Sequence, residues 1–213
     1  MDWKLFLTSA GLPKETRENF IKLLPKAPHK IKLCFIPTAA DPEKNKSYVG
    51  KDIKTIKKMG MNISEIDLKN KNEDSLLSDL SRCDVIYIEG GNTFYLLDHV
   101  RKSGFDKIIK QLLDNEKIYV GVSAGSIIAG VNIELAGWKH FDRNIVELKD
   151  LKGLSLVPFV PFVHYEEKYN KLLNDKVKEI DYSLYALNDK QAVLCVGDKY
   201  EIVGEGRKII YKK

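Results

Sequence analysis

The sequence predicts an α/β fold, a three-layer αβα sandwich built on a mainly parallel sheet. Two observations carry this expectation. Through residues 3–122, short β-type runs alternate with amphipathic helical patterns, the signature of βαβ units whose strands lie parallel with helices on both faces. The C-terminal part changes character: 192–196, 199–203 and 208–211 are closely spaced strands joined by turn signals such as Gly197-Asp198. They predict a C-terminal antiparallel meander at one sheet edge.

The elements follow in order. Residues 3–7 and 31–36 read as strands, the second stopped by Pro37. Between them, 14–24 has helical spacing through Phe20, Ile21 and Leu24, and 47–59 repeats it through Val49, Ile53 and Ile56 until Gly60. A strand is expected at 62–66, a helix at 73–80 and a strand at 84–88. Helices at 93–102 and 105–113 then lead into a strand at 117–122. No repeat, low-complexity tract or linker interrupts the pattern, so a single domain over 1–213 is expected.

The 213 residues are 44% hydrophobic and 31% charged, a globular balance. No apolar run approaches the ~20 residues that span a bilayer, and the N-terminus lacks the basic region of a signal peptide. The net charge of +5 is spread over candidate helix faces, as in Lys51, Lys54, Lys57 and Lys58, which argues for solvated surface and against nucleic-acid binding. Cys34, Cys83 and Cys195 show no C-x-x-C spacing. They read as buried free thiols in a reducing cytoplasm.

Chemistry collects beyond the carboxyl ends of strands in such sheets. Gly121-Val122-Ser123-Ala124-Gly125 follows the strand run 118–120 and matches G-x-S-x-G, the turn that exposes a nucleophilic serine between strand and helix. The Ala124 N–H would face the oxygen of a carbonyl attacked by Ser123. An N–H near Gly91, in Glu89-Gly90-Gly91-Asn92-Thr93, would complete an oxyanion hole, and Asn92 or Thr93 would cap the next helix.

A serine needs a base. Of His29, His99, His140 and His164, the last follows the apolar run 156–163 at an expected strand end and is the best placed, with His140 in reserve. Asp189 follows the short run 184–187 in another strand-end loop and would orient the imidazole. Glu166 and Glu167 are its rivals by nearness in sequence. The order Ser, His, Asp differs from the Ser, Asp, His order of α/β-hydrolases.

Together these residues resemble the peptidase E family of serine peptidases (aspartyl dipeptidase and cyanophycinase relatives), whose fold is the class I glutamine amidotransferase-like sandwich. The match runs through Gly90-Gly91-Asn92-Thr93-Phe94 with Leu96-Leu97, the Ser123 turn, and Phe162-Val163-His164-Tyr165. Ala186-Leu187-Asn188-Asp189 before Gln191-Ala192-Val193 is a looser fourth match. The resemblance implies Ser123 as nucleophile, His164 as base, and Gly91 and Ala124 as oxyanion donors. Asp189 falls where characterised relatives use glutamate.

The expected activity is hydrolysis of small peptides, dipeptidase-like, through an acyl-enzyme on Ser123. A non-catalytic binding member of the same fold and an amidase are the alternatives. Asp142-Arg143-Asn144 is a candidate pocket segment, so Asn92, Asp142 and Arg143 are candidate substrate-binding residues. Aspartate specificity needs a cation, and no arginine lies just after His164, only Lys168 and Lys171. No metal or cofactor is expected; a small peptide is the expected partner, without nucleic acid or membrane, and a homodimer stays open.

Overall fold

The computed structural model describes residues 2–138 and 142–213. The chain runs β1 (Lys4–Thr8), α1 (Lys14–Leu23), β2 (Lys32–Ile36), α2 (Ser47–Lys58), β3 (Asn62–Glu65), α3 (Glu73–Leu80), β4 (Val85–Ile88), α4 (Thr93–Lys102), α5 (Phe105–Asp114) and β5 (Ile118–Val122). It continues through α6 (Ala124–Ala129), β6 (Phe159–Phe162), α7 (Asn170–Lys176), β7 (Ser183–Ala186), β8 (Gln191–Val196), β9 (Lys199–Gly204) and β10 (Ile209–Tyr211).

The main sheet has the order β3-β2-β4-β5-β1-β8-β9. Its first five strands are parallel, and β8 and β9 add antiparallel at the β1 edge. The alternation of side chains along each central strand explains the three layers. Leu5, Leu7, Cys34, Ile36, Ile86, Ile88 and Tyr119 face one core with α3, α4, α5 and α6. Phe6, Leu33, Phe35, Val85, Tyr87, Val120 and Val122 face the other, under α1 and α2. Both faces are covered, so these strands are continuously apolar.

A second sheet, β10-β7-β6, packs against the first core. Here the structure differs from the expected meander. β8 and β9 form the edge hairpin, but β10 leaves them and pairs antiparallel with β7. The reason lies at Gly204 and Gly206, at φ +99° and +112°. These left-handed glycines turn the chain off the edge, a path that L side chains resist.

The cysteine expectation is also corrected. Cys34 and Cys83 form a disulfide, with Cα atoms 5.9 Å apart, and only Cys195 is a buried free thiol. Cys34 lies on β2 and Cys83 just before its neighbour β4. Pairing of these strands, 49 residues apart in sequence, brings the two sulfurs together. The cysteines therefore do not argue for a reducing compartment. No described helix is long and apolar enough to cross a membrane.

Candidate active site

The loops after β1, β4 and β5 meet at one place. β5 and β1 are neighbours, yet the helix after β5 lies on one sheet face and the helix after β1 on the other. Divergent connections of this kind open a crevice at the carboxyl ends of the strands. The second sheet brings two further loops to it, after β6 and after β7.

Ser123 sits between β5 and α6 with φ +46° and ψ −106°, a conformation that a β-carbon disfavours. Its surroundings explain how it is held. Ser123 N–H donates to Thr8 O at 3.0 Å, Tyr119 Oη donates to Gly125 O at 2.6 Å, and Ser126 Oγ lies 2.7 Å from the carbonyls of both Thr8 and Gly121. The flanking glycines are required by space: a Cβ on Gly125 would stand 2.3 Å from Ile88 O, and one on Gly121 2.5 Å from Gly125 O.

The sequence-predicted residues form one chain of contacts. His164 Nε2 lies 3.0 Å from Ser123 Oγ, and His164 Nδ1 lies 2.6 Å from Asp189 Oδ1. A carboxylate only accepts, so Nδ1 carries the proton and Nε2 presents its lone pair to the hydroxyl. His164 also has a left-handed backbone, φ +52°. Of the alternatives, Glu166 pairs with Lys168 at 2.6 Å. His99 packs its ring, tilted by 57°, against Tyr95 on the same helix, α4, and His140 lies outside the described residues.

Sequence reasoning missed Ser9. This fully buried residue follows β1; its Oγ donates to Asp189 Oδ1 at 2.9 Å and accepts His164 N–H at 2.7 Å. It ties the acid and the histidine backbone to the main sheet. The signal was a strand-end serine in Thr8-Ser9-Ala10-Gly11, too common a pattern to stand out.

Gly90 faces the serine, and Gly91 beside it also lines the cleft. A Cβ on Gly90 would lie 3.1 Å from Ser123 Cβ, and Gly91, at φ +141°, would place one 2.1 Å from Ala39 O. The Gly90 N–H is taken by Glu89 Oε1 at 2.7 Å. The Gly91 N–H has no partner among the described residues, and Ala124 opens α6, where an N–H lacks an intrahelical acceptor.

A cleft of about 500 Å³ opens over Ser123 and His164. Among the described residues, its walls carry Glu43, Asp52, Glu89 and Asp142 against one lysine, Lys51. Burial, then the nearby Asp142, holds the Glu43 carboxyl above its ordinary value. The three candidate substrate contacts separate here. Asp142 lines the cleft, its Oδ2 accepting from Thr93 N–H at 2.8 Å. Asn92 is occupied at both ends: Oδ1 caps α4 through Tyr95 N–H, and Nδ2 donates to Arg143 O, each at 2.9 Å. Arg143 is exposed and not among the lining residues.

A serine on a strand–turn–helix elbow, meeting a histidine at the strand ends of an α/β sheet, defines a class of hydrolase-type sites that recurs on unrelated folds. Within that class, the sequence profile of Peptidase family S51 matches residues 5–203, and the chain belongs to this serine peptidase family. An uncharacterized peptidase of Listeria innocua is 31% identical over 166 residues, covering 76% of this chain and 79% of its own. Peptidase E of Shewanella amazonensis is 26% identical over 89% of this chain and 82% of its own. Among solved structures, a putative peptidase E protein from Listeria monocytogenes superposes with a TM-score of 0.83 at 27% identity, covering 97% of this chain and all of that one.

Proposed function

We infer that this protein is a serine peptidase of small peptides, dipeptidase-like, working through an acyl-enzyme on Ser123, and that one domain over 1–213 carries the activity. The observation that supports this reading most is the contact series Ser123 Oγ to His164 Nε2 at 3.0 Å and His164 Nδ1 to Asp189 Oδ1 at 2.6 Å.

In the proposed cycle, His164 Nε2 takes the hydroxyl proton as Oγ attacks the peptide carbonyl. Asp189 keeps Nδ1 protonated and stabilises the imidazolium. The Gly91 and Ala124 N–H groups receive the oxyanion; loss of one such donor raises the barrier by roughly 2.7–4 kcal/mol. His164 returns the proton to the leaving amine, and water then repeats the sequence in reverse to release the acid.

The cleft bears on the substrate. A volume near 500 Å³ suits a short peptide. Its acidic walls favour a free amino terminus, and the described lining residues include no arginine for an aspartate side chain. The test is hydrolysis of a panel of dipeptides and aminoacyl p-nitroanilides by the wild type and Ser123→Ala. Turnover by the wild type alone, with fluorophosphonate labelling at Ser123, is the expected result. Labelling without turnover of any member would point to another acyl substrate.

A further inference from the structure

Beneath the oxyanion loop lies a group that the cycle above leaves unused. Glu89 follows β4, is fully buried, and lines the cleft. Its Oε1 accepts the Gly90 N–H at 2.7 Å. Its Oε2 receives no N–H or hydroxyl donor among the described residues; the Asp52 carboxyl of α2 is its charged neighbour in the cleft wall. Two bare carboxylates side by side repel, and burial disfavours the charged form of Glu89, so both effects favour a proton held on the pair.

Asp52 is itself held in place. Its Oδ2 accepts from Tyr87 Oη at 2.9 Å, and its carboxyl fills the space that a side chain on Gly11, at φ +49°, would take. The pair therefore links α2, β4 and the loop after β1 directly below the Gly90–Gly91 peptide. With Gly90 N–H drawn inward, the next N–H along the chain is left to face the cleft.

We propose that Glu89 is a positioning residue: its protonated carboxyl, bridged to Asp52, holds the Gly90 N–H inward and thereby aims the Gly91 N–H at the substrate's carbonyl oxygen. The proposal rests on Ser123 being the nucleophile. Loss of the shared proton leaves two adjacent negative charges, that of Glu89 fully buried, and the peptide they hold must shift. Burial, and then the Asp52 charge, push Glu89 up to about 8, so the change falls in the mildly alkaline range. The other charged or titratable groups around the pair are Tyr48 and Lys51 of α2, Tyr87 of β4, Glu43 before α2, Asp142, and His164 after β6.

The test compares pH profiles of kcat on one aminoacyl p-nitroanilide at saturation, so that ionisation of the substrate amine is common to every protein. Wild-type kcat is expected to fall through a single-proton alkaline limb while KM changes little. Glu89→Ala should lower kcat on the order of 10²-fold, as for a displaced oxyanion donor. Glu89→Gln, which accepts from Gly90 N–H and donates to Asp52 without titrating, should recover most of that loss and lack the limb. Asp52→Asn should also lack it, because its amide donates to an ionised Glu89, and it carries the test if Glu89→Gln does not fold. The same alkaline limb in wild type and in the folded variants overturns the proposal. A second readout needs no turnover: the ¹³C-carboxyl resonance of Glu89 should titrate far above an ordinary glutamate and move to lower pH in Asp52→Asn. Hydrolysis surviving in Ser123→Ala sinks the assignment of Ser123 as nucleophile instead, and the carboxyl titration still decides whether the pair shares a proton.

Discussion

Ser123 and His164, whose side chains meet at 3.0 Å, both hold left-handed backbones, at φ +46° and +52°. Neither is glycine, and such positions cost on the order of 1–3 kcal/mol each unless the surroundings over-determine them. Here they do. Thr8 O receives Ser123 N–H, and Ser9 Oγ receives His164 N–H, so the end of β1 anchors both strained residues. The strain turns each side chain toward the other across two separate sheets.

Removal of Ser123 should abolish turnover. Ser123→Ala is expected to lower kcat by up to about 10⁶-fold, the loss seen when a triad nucleophile is removed, with thermal unfolding close to wild type. Intact-mass analysis after fluorophosphonate treatment should show one adduct on the wild type and none on the variant.

Asp189 should matter more than its neighbours in sequence. Asp189→Asn is expected to lower kcat by up to about 10⁴-fold, and Glu166→Gln to leave it near wild type. A larger loss in Glu166→Gln, with both proteins folded, would take the orienting role from Asp189 and give it to Glu166.

Ser9 should act through that acid. Ser9→Ala removes one hydrogen bond to a charged group, worth about 1.5–3 kcal/mol, so kcat should drop roughly ten- to a hundredfold with little change in KM. Steady-state kinetics on a single substrate separates the two parameters. An effect on KM alone would place Ser9 in substrate binding.

Stability should carry the mark of Glu89. Its folded value, about 8, lies above its ordinary 4.5, so the native state binds the proton more tightly than the unfolded chain. Glu89 therefore makes stability fall as pH rises from about 4.5 to about 8, and contributes no further slope above that. Glu89→Gln should flatten this part of the curve, gaining on the wild type at pH 9 relative to pH 5. Urea midpoints at the two pH values measure it.

The Cys34–Cys83 bridge should be visible by thiol counting. Denatured without reductant, the protein should expose one reactive thiol, Cys195, and with reductant three. A cross-link closing a 49-residue separation is worth about 4 kcal/mol in the chain-entropy view. Reduction should lower the urea midpoint accordingly.

The layered fold and the serine elbow were legible in the sequence because both are local patterns. Period-2 and period-3.6 hydrophobicity mark the alternating strands and helices, and Gly121-x-Ser-x-Gly125 marks a tight turn, with Gly121 demanded by contact with Gly125 and Ser126 four and five residues on. His164 and Asp189 could be named because each follows an apolar run, and a strand's end in such a sheet points to the same crevice. What the chain order could not show is which distant segments share that crevice. Ser9, 155 residues before His164, the Asp52–Glu89 pair, and Cys34 with Cys83 meet only when the order β3-β2-β4-β5-β1-β8-β9 sets their strands and helices side by side. Pairing across long loops leaves no periodic trace in the sequence, because its stabilisation comes from burial and hydrogen bonds that exist only once the sheet has closed.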